Sequence, residues 1–294
     1  MGFTRSLGFR AGLLSALILL VLLAVWHVAT LSAAPVAAAA PALTPEQIEY
    51  ARLMGKDPTA GAAAPAAKSG FPTLAQMGTV VVKNLASPFY DNGPNDKGVG
   101  LQLGYSLGRV GLGYLLAALV AIPLGFVIGM SPLVYRALDP FIQVLKPISP
   151  LAWMPLALYT IKDSSISGIF VIFICSVWPM LINTAFGVAS VRREWLNVAK
   201  TLEVSALRRA FEVILPAAAP TILTGMRISM GIAWLVIVAA EMLVGGTGIG
   251  YFVWNEWNNL SLTNVIFAIG MIGIVGMLLD LMFGVLQKWV TYVE

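Results

Sequence analysis

The stretch ISGIFVIFICSVWPMLINTAFGVASV (Ile166–Val191) carries no charged side chain along its whole length. A helix rises about 1.5 Å per residue and the hydrocarbon core of a bilayer is about 30 Å thick, so roughly 20 apolar residues cross it. The run is unbroken and lacks the two-residue alternation of a barrel strand. It therefore predicts a transmembrane helix.

Five other runs have the same character, and with the first they predict six spans. The chain is 59% hydrophobic and only 11% charged, whereas soluble domains are about 25% charged. Its mean hydropathy is +0.85. We therefore predict an all-α membrane protein with six transmembrane helices, at Gly12–Ser32, Arg109–Met130, Phe141–Ile161, Ile166–Val191, Ala217–Leu243 and Asn264–Gln287.

The Lys and Arg residues of the short connections predict the orientation. Arg5 and Arg10 precede the first span, and six crossings place Arg136, the segment 192–209 and Lys288 on the same side as these two residues. The short loops of the opposite side contain only Lys162. The amino and carboxyl termini are therefore expected in the cytoplasm.

The first span has two interpretations. Its basic start and its Ala-rich end through Ala34 resemble a secretory signal with a cleavage site, but the apolar run exceeds the usual 7–15 residues and favours an uncleaved anchor. We divide the chain into a first transmembrane helix (1–33), an Ala/Pro-rich periplasmic linker (34–70), a periplasmic interfacial segment (71–103) and a core of five helices (104–294). The interfacial segment is expected to begin with a helix over Leu74–Leu85 and to continue as a turn-rich loop.

The composition leaves little room for catalytic or metal chemistry. Cys175 is the only cysteine and His27 the only histidine, so an intramolecular disulfide framework and His-rich metal sites are excluded, and metal chemistry and a Ser-His-Asp triad are nearly excluded. The Gly-rich run Gly245–Gly250 has no Lys and is not a phosphate loop, and it is expected to form a flexible exit from the fifth helix. We predict no catalytic residue, no metal, no cofactor and no nucleic-acid partner.

The connection between the fourth and fifth spans is too long for a simple turn. It carries a helical period, with Trp195, Val198, Ala199, Leu202 and Ala206 on one face. Basic residues flank that face. The face is therefore expected either to lie on anionic lipid headgroups or to dock into an acidic groove of a partner protein.

The same segment, 192–216, resembles the cytoplasmic coupling loop of permease subunits in binding-protein-dependent ABC importers. That family's pattern is Glu-Ala-Ala, three residues, Gly, nine residues, Ile-x-Leu-Pro, and Ala199 and Val213–Pro216 occupy their places in it. Asn197 and Val198 replace the usual Glu and Ala. Glu203 replaces the Gly, which argues against a left-handed turn there, because positive φ is costly for a residue with a Cβ.

Further motifs extend the resemblance over roughly residues 71–292. Three of them resemble the branch that imports nitrate, bicarbonate, sulfonates and taurine: Ala137–Pro140, Pro150–Pro155 and Ala239–Gly250. Others look most like the nitrate and bicarbonate permeases: Asn183–Ala185, Gly187–Val188, Asn197–Lys200, Gly231–Trp234 and Trp254–Asn258.

The resemblance implies a type I ABC importer permease fold in the bacterial inner membrane. It implies two cytoplasmic ATPase subunits, a periplasmic or lipid-anchored anion-binding protein and a second permease copy, most simply an identical one. The cargo would be a small inorganic anion, nitrate first, with nitrite, cyanate or bicarbonate in the same class, and a sulfonate or taurine as the alternative. The residues implied in ATPase coupling are Trp195, Asn197, Val198, Ala199, Lys200, Leu202, Glu203, Arg208, Leu215 and Pro216.

Leu215 and Pro216 are expected to end the loop helix and to open the next helix, because proline fixes φ and lacks an N–H. Two rival classes are weaker. An ion channel would need a filter such as TVGYG, and a membrane enzyme would need clustered His, Cys or acidic residues.

Charged residues inside the spans complete the candidate set. Arg227 and Asp280 fall at comparable depths on antiparallel helices, so we predict that they form an ion pair or share a polar network. In the alternative interpretation, Arg227 faces the pathway and attracts an anion. Glu241 would repel an anionic cargo, so we expect it to be structural and to cap the backbone amides of Gly245–Gly248.

Overall fold

The computed structural model describes residues 7–31, 71–93 and 96–290. The predicted linker 34–70 and the alternative cleavage site lie outside these residues. The described helices, numbered in chain order, are α1 Leu7–Leu31, α2 Leu74–Ala86, α3 Val99–Met130, α4 Pro132–Leu145, α5 Pro150–Ile161, α6 Ser164–Ala189, α7 Arg193–Thr201, α8 Ala206–Arg209, α9 Leu215–Val244, α10 Ile249–Asn258 and α11 Leu262–Val290.

Among the residues that the structure describes, five helices are long and apolar enough to cross a membrane, and the bent pair α4 and α5 would give a sixth span if it counts as one. Residues 1–83 and 84–294 form two units. In the first unit, the Trp26 indole donates a hydrogen bond to the Pro72 carbonyl at 2.9 Å, and its ring meets Phe71 edge to face. The predicted helix over Leu74–Leu85 is present as α2, and its position at the membrane interface stays a prediction.

In the second unit, α6 lies between α3 and α9 and packs along both. Small residues allow this close approach. A Cβ added to Gly113 of α3 would lie 2.8 Å from the Ile172 side chain, and one added to Gly225 of α9 would lie 2.5 Å from Asn183. Ile172 and Met180 of α6 are fully buried. The three helices therefore form the core on which the charged residues are positioned.

The third predicted span, Phe141–Ile161, is wrong as a single straight helix. The chain turns by 90° between α4 and α5, across a break of four residues at 146–149. Ser149 has an extended conformation (φ −58°, ψ 134°), because the ring of Pro150 disfavours the α region for the residue before it. Counting apolar residues measures the length of a span and does not detect such a corner.

A short turn joins α2 to α3 and is stabilised by an ion pair. Lys97 Nζ lies 3.0 Å from Asp91 Oδ2, and the Gly98 amide donates to the Tyr90 carbonyl. The hydrogen bond from Lys97 holds the pKa of the Asp91 carboxyl below its usual value. This turn places the start of α3 ten residues before the predicted span boundary at Arg109.

Candidate functional site

The loop helix α7 is anchored on one side only. Ala199 is 4% exposed. Leu196 packs against a small apolar cluster where the loop meets the ends of α6 and α9, formed by Val188, Val191, Ile214, Ala218 and Ile222. A displacement of α7 would therefore act directly on the ends of two membrane helices.

The other side of the loop exposes large apolar side chains. We call these residues the loop patch: Trp195, Val198, Leu202, Leu207 and Phe211, which are 43%, 58%, 70%, 75% and 67% exposed. The predicted common face is thus divided, because Ala199 turns inward while Trp195, Val198 and Leu202 turn outward. Asn197, Lys200 and Arg208 are exposed beside the patch.

Glu203 adopts the left-handed conformation that its side chain argued against, with φ 53°. The Glu203 amide donates to the Lys200 carbonyl and the Val204 amide to the Ala199 carbonyl, each at 3.0 Å. These two bonds are the Schellman ending of a helix, and they satisfy carbonyls that would otherwise lack a donor. The side chain is exposed, so the backbone bonds outweigh a conformational cost of about 1–2 kcal/mol.

The expectation that Leu215 and Pro216 end the loop helix is wrong. Helix runs without interruption from Ala206 to Val244, and a π-turn at Ala210–Ile214 lies just before the proline. A proline ring clashes with the carbonyl four residues earlier in a regular α-helix, and a wider turn relieves that clash. The loop instead breaks before Ser205, whose hydroxyl accepts from the Arg208 amide and caps α8.

The structure brings Arg227 and Asp280 together as a two-point ion pair between α9 and α11. Arg227 Nε lies 2.6 Å from Asp280 Oδ1, and Nη2 contacts Oδ2. The side chains are 39% and 54% exposed. About one turn away along α9 and two turns away along α11, Gln287 Nε2 donates to Thr224 Oγ1 at 3.0 Å.

Glu241 lies in a second, enclosed cluster at the other end of α9. Arg109 Nη1 contacts one carboxylate oxygen at 2.8 Å, and Ser106 Oγ contacts both oxygens. The side chains of Arg109 and Glu241 are 14% and 3% exposed. Arg109 also donates to Ser165 Oγ at 2.9 Å and to the Thr247 carbonyl, so the cluster joins α3, α6 and α9.

The expected capping by Glu241 is shifted along the chain. Its carboxylate accepts from the Gly250 amide at 3.0 Å, whereas the Gly248 amide donates to Gln102 Oε1 and the Ile249 amide to Ser106 Oγ. The amide of Gly245 donates to the backbone carbonyl of Glu241. Side chains of α3 and α9 therefore hold the first amides of α10, and the Gly-rich run is a fastened turn, which corrects its expected flexibility.

Sequence reasoning missed Gln102, Ser106, Arg109 and Ser165. Arg109 was treated as the boundary of a span, although α3 begins at Val99. Gln102, Ser106 and Arg109 are spaced by four and three residues and share one face of a helix, so this spacing was the available signal. Among the described residues, no group of three His, Cys, Asp or Glu could hold a metal ion.

Comparison with known proteins places the chain in a family. The sequence profile of the family described as "Binding-protein-dependent transport system inner membrane component" matches residues 121–292. The nitrate import permease protein NrtB of Synechocystis sp. is 45% identical over 77% of this chain and 82% of the relative. The bicarbonate transport system permease protein CmpB of the same organism is 46% identical over 70% and 74%. The taurine transport system permease protein TauC of Escherichia coli is 35% identical over 65% and 69%.

Solved structures share the fold. The MetNI methionine ABC transporter, in an inward-facing conformation, superposes with a TM-score of 0.58 at 12% identity, over 64% of this chain and 94% of that chain. An amino acid ABC transporter gives 0.57 at 12% identity, over 74% and 99%. The chain is a multi-pass inner-membrane permease subunit and belongs to the family of binding-protein-dependent transport system inner membrane components.

Proposed function

We propose that this chain is the permease subunit of an ATP-driven importer that moves a small inorganic anion inward, with nitrate as its cargo. The observation that carries the proposal is its 45–47% identity to nitrate import permeases over 70–77% of the chain. Bicarbonate is the second candidate, because two bicarbonate permeases are 46% and 43% identical. The lower identity to the taurine permease makes a sulfonate the weaker alternative.

The loop patch is the docking surface for the ATPase in this proposal. An exposed apolar patch of five side chains on a loop favours a protein partner, because the hydrophobic effect stabilises its burial. The charges beside it give the docking a defined orientation. Since the opposite side of α7 packs on the ends of α6 and α9, closure of two ATPase subunits would pull on both helices.

The remaining partners follow from the same proposal. ATP hydrolysis belongs to the ATPase subunits, an anion-binding protein delivers cargo on the periplasmic side, and a second copy of this chain completes the pore. Both termini then lie in the cytoplasm, on the side of the loop patch. The Arg109–Glu241 cluster acts as a structural brace in this scheme, because Nε and Nη1 of Arg109 donate to Ser165, Glu241 and Thr247 and the Glu241 carboxylate is 3% exposed.

Reconstitution tests the cargo directly. The permease, its ATPases and the binding protein are incorporated into liposomes, and uptake of ¹⁵N-nitrate and ATP hydrolysis are measured with nitrate, bicarbonate or taurine as the delivered ligand. We expect nitrate to stimulate both activities most strongly. Stimulation by taurine with no response to nitrate would overturn the assignment.

A substitution in the loop patch tests the docking surface. Leu202→Asp places a charge in the patch and should uncouple the ATPases, seen as loss of their copurification with the permease. Leu260→Asp is the matched control, because Leu260 is 91% exposed in the loop between α10 and α11, at the opposite end of α9. Equal copurification of both variants and the parent would exclude the patch as the docking surface.

A further inference from the structure

The Arg227–Asp280 pair is exposed at a depth where lipid would be expected. Arg227 is the thirteenth residue of α9 and lies about 18 Å from its start, and Asp280 lies about 15 Å from the end of α11 at 1.5 Å per residue. Half of the hydrocarbon thickness is about 15 Å. Both helices are about 45 Å long and extend beyond the hydrocarbon core, so the pair lies within the membrane-crossing part of each helix while its side chains remain 39% and 54% exposed.

Charged side chains inside a membrane face other protein or a water-filled cavity, because lipid cannot solvate them. Here the polar surface continues from the pair toward the end of the bundle that carries the coupling loop. Gln287 and Thr224 join α11 to α9 on that side. We call these four residues the polar stripe: Thr224, Arg227, Asp280 and Gln287.

The stripe ends on its other side at Trp234. The indole of Trp234 is 5% exposed and donates to the Ile272 carbonyl at 3.0 Å, closing the seam between α9 and α11. The two polar pairs thus run from Arg227 and Asp280 toward the coupling-loop end, and Trp234 bounds them on the other side. This one-sided continuity favours water over a lipid-packed or uniformly sealed surface.

Arg227 retains donors after it has bound Asp280. A guanidinium has five N–H groups, and Asp280 uses the one at Nε and one at Nη2. The Nη1–Nη2 edge donates no other hydrogen bond to the described residues. Gly284 lies beside this edge, where a Cβ would be in van der Waals contact with the guanidinium at 3.9 Å.

We propose that the polar stripe lines a water-filled vestibule entered from the coupling-loop end, and that the free edge of Arg227 binds the transported oxyanion there. A planar oxyanion offers two oxygens that match the two N–H groups of this edge. Asp280 positions the guanidinium and offsets its charge, so that the anion binds weakly enough to leave. The proposal rests on the proposed anion transport, and it makes Arg227 a cargo-binding residue.

Thiol labelling tests the vestibule without reference to the cargo. The only native cysteine, Cys175, is buried, so introduced cysteines report cleanly. Asp280→Cys is compared with Leu278→Cys, which lies two residues away on the opposite face of α11 and is 56% exposed. A charged methanethiosulfonate reacts with thiolate in water. We expect at least tenfold faster labelling at position 280 in the assembled complex.

Thr224→Cys repeats the measurement with the ion pair intact, which separates accessibility from any loss of folding. Its control is again Leu278→Cys, which is 56% exposed, because Ile228 of α9 shares a helix face with Thr224. Labelling at positions 280 and 224 as slow as that of their control would overturn the vestibule. Crosslinking of the Asp280→Cys variant to a second copy of the chain, with no reaction toward the charged reagent, would overturn it too.

Uptake measurements test the role of Arg227. The double variant Arg227→Gln/Asp280→Asn removes both charges together and leaves a polar amide side chain at each position. In the reconstituted complex we expect at least a tenfold loss of uptake of the anion that stimulates the parent, with unchanged copurification of the subunits. Arg227→Lys should recover only part of the loss, since an ammonium lacks the planar edge. Parent-level uptake by the double variant would overturn anion binding by Arg227.

The outcomes separate the two proposals. If nitrate fails to stimulate the parent but another anion does, nitrate falls as the cargo while the labelling contrast and the Arg227 test remain valid with that anion. If the double variant transports nitrate normally, Arg227 does not bind the anion, and the proposed function stands.

Discussion

Among the residues that the structure describes, two arginine–carboxylate pairs join different membrane helices, and they differ in burial and in their further contacts. The Arg109–Glu241 pair is enclosed, with side chains 14% and 3% exposed, and it contacts a serine, a backbone amide and a carbonyl besides. The Arg227–Asp280 pair is 39% and 54% exposed, and neither of these two side chains makes a further hydrogen bond to the described residues.

This difference shows that the charge of an intramembrane residue does not reveal its role, whereas the state of its remaining donors does. In the enclosed cluster Nε and Nη1 of Arg109 donate to three partners, and the Glu241 carboxylate that they hold also accepts from the Gly250 amide of α10. In the exposed pair one edge of Arg227 is unused. The enclosed pair should therefore govern stability and the exposed pair transport.

The largest effect is expected from Glu241→Gln, because it leaves the Arg109 charge buried without its counter-ion. Removing one partner of a buried pair costs about 3–5 kcal/mol. We expect a sharp fall in the thermal unfolding midpoint in detergent and in the yield of folded permease. Glu212→Gln is the control, since Glu212 forms an exposed pair with Arg208 and such pairs contribute about 0.5 kcal/mol or less. Similar midpoints for both variants would contradict the brace.

Gly248→Ala should destabilise the enclosed cluster by less, through its backbone. Gly248 has φ 153°, and a Cβ there would overlap the Glu241 carboxylate. Gly246→Ala shares the positive φ, at 98°, but its Cβ would meet open space, so it should cost about 1–2 kcal/mol from conformation alone. The difference between the unfolding midpoints of the two variants measures the cost of the steric overlap between the added Cβ and the Glu241 carboxylate. The comparison fails if Gly246→Ala is the more damaging change.

Trp234→Phe is expected to lower the stability of the permease only modestly. Trp234 lies on α9 between the Arg227–Asp280 pair and the Arg109–Glu241 pair. It removes the hydrogen bond to Ile272 and leaves that carbonyl without the indole donor, at a cost of about 1 kcal/mol. The unfolding midpoint should fall slightly. When Trp234→Phe is combined with Asp280→Cys, the cysteine should still react only with reagent added from the coupling-loop end. Labelling from both ends would show that Trp234 alone forms the seal.

The smallest change in stability is expected from the double variant Arg227→Gln/Asp280→Asn. Its unfolding midpoint should remain close to that of the parent, because partly exposed groups lose little when their charges are removed together. The matched double variant Arg109→Gln/Glu241→Gln should unfold at a clearly lower temperature. Equal losses in the two double variants would remove the distinction between the pairs.

The sequence predicts part of this arrangement for physical reasons. The lengths of the apolar runs predict the number of spans. The depth of a residue on a helix follows from its distance in residues from the helix end, so counting along two antiparallel helices predicts that Arg227 and Asp280 lie close together. The corner at Ser149–Pro150 cannot be predicted in this way, because the length of an apolar run carries no information on the direction of the backbone. Arg109 was missed since an arginine at the edge of an apolar run is ordinarily interfacial, and only the earlier start of α3 places it inside.

The loop shows a different limit of sequence reasoning. A glycine in the sequence predicts where the left-handed conformation has a low free-energy cost. Glu203 adopts that conformation without being glycine, because two backbone hydrogen bonds end α7 there. Pro216 lies in the first turn of α9, as expected, but it does not end the loop helix, because a wider turn before it keeps the helix continuous. In both places, backbone hydrogen bonding outweighs the preference of a single residue.

The unbroken helix from Ala206 to Val244 has 39 residues and a length of about 58 Å, nearly twice the hydrocarbon thickness. A rod of this length conveys torque as well as displacement between its ends. The π-turn at Ala210–Ile214 is where its winding changes. Rewinding that turn by a single residue would rotate the whole shaft beyond it by about 100°, carrying Arg227 and Glu241 around together.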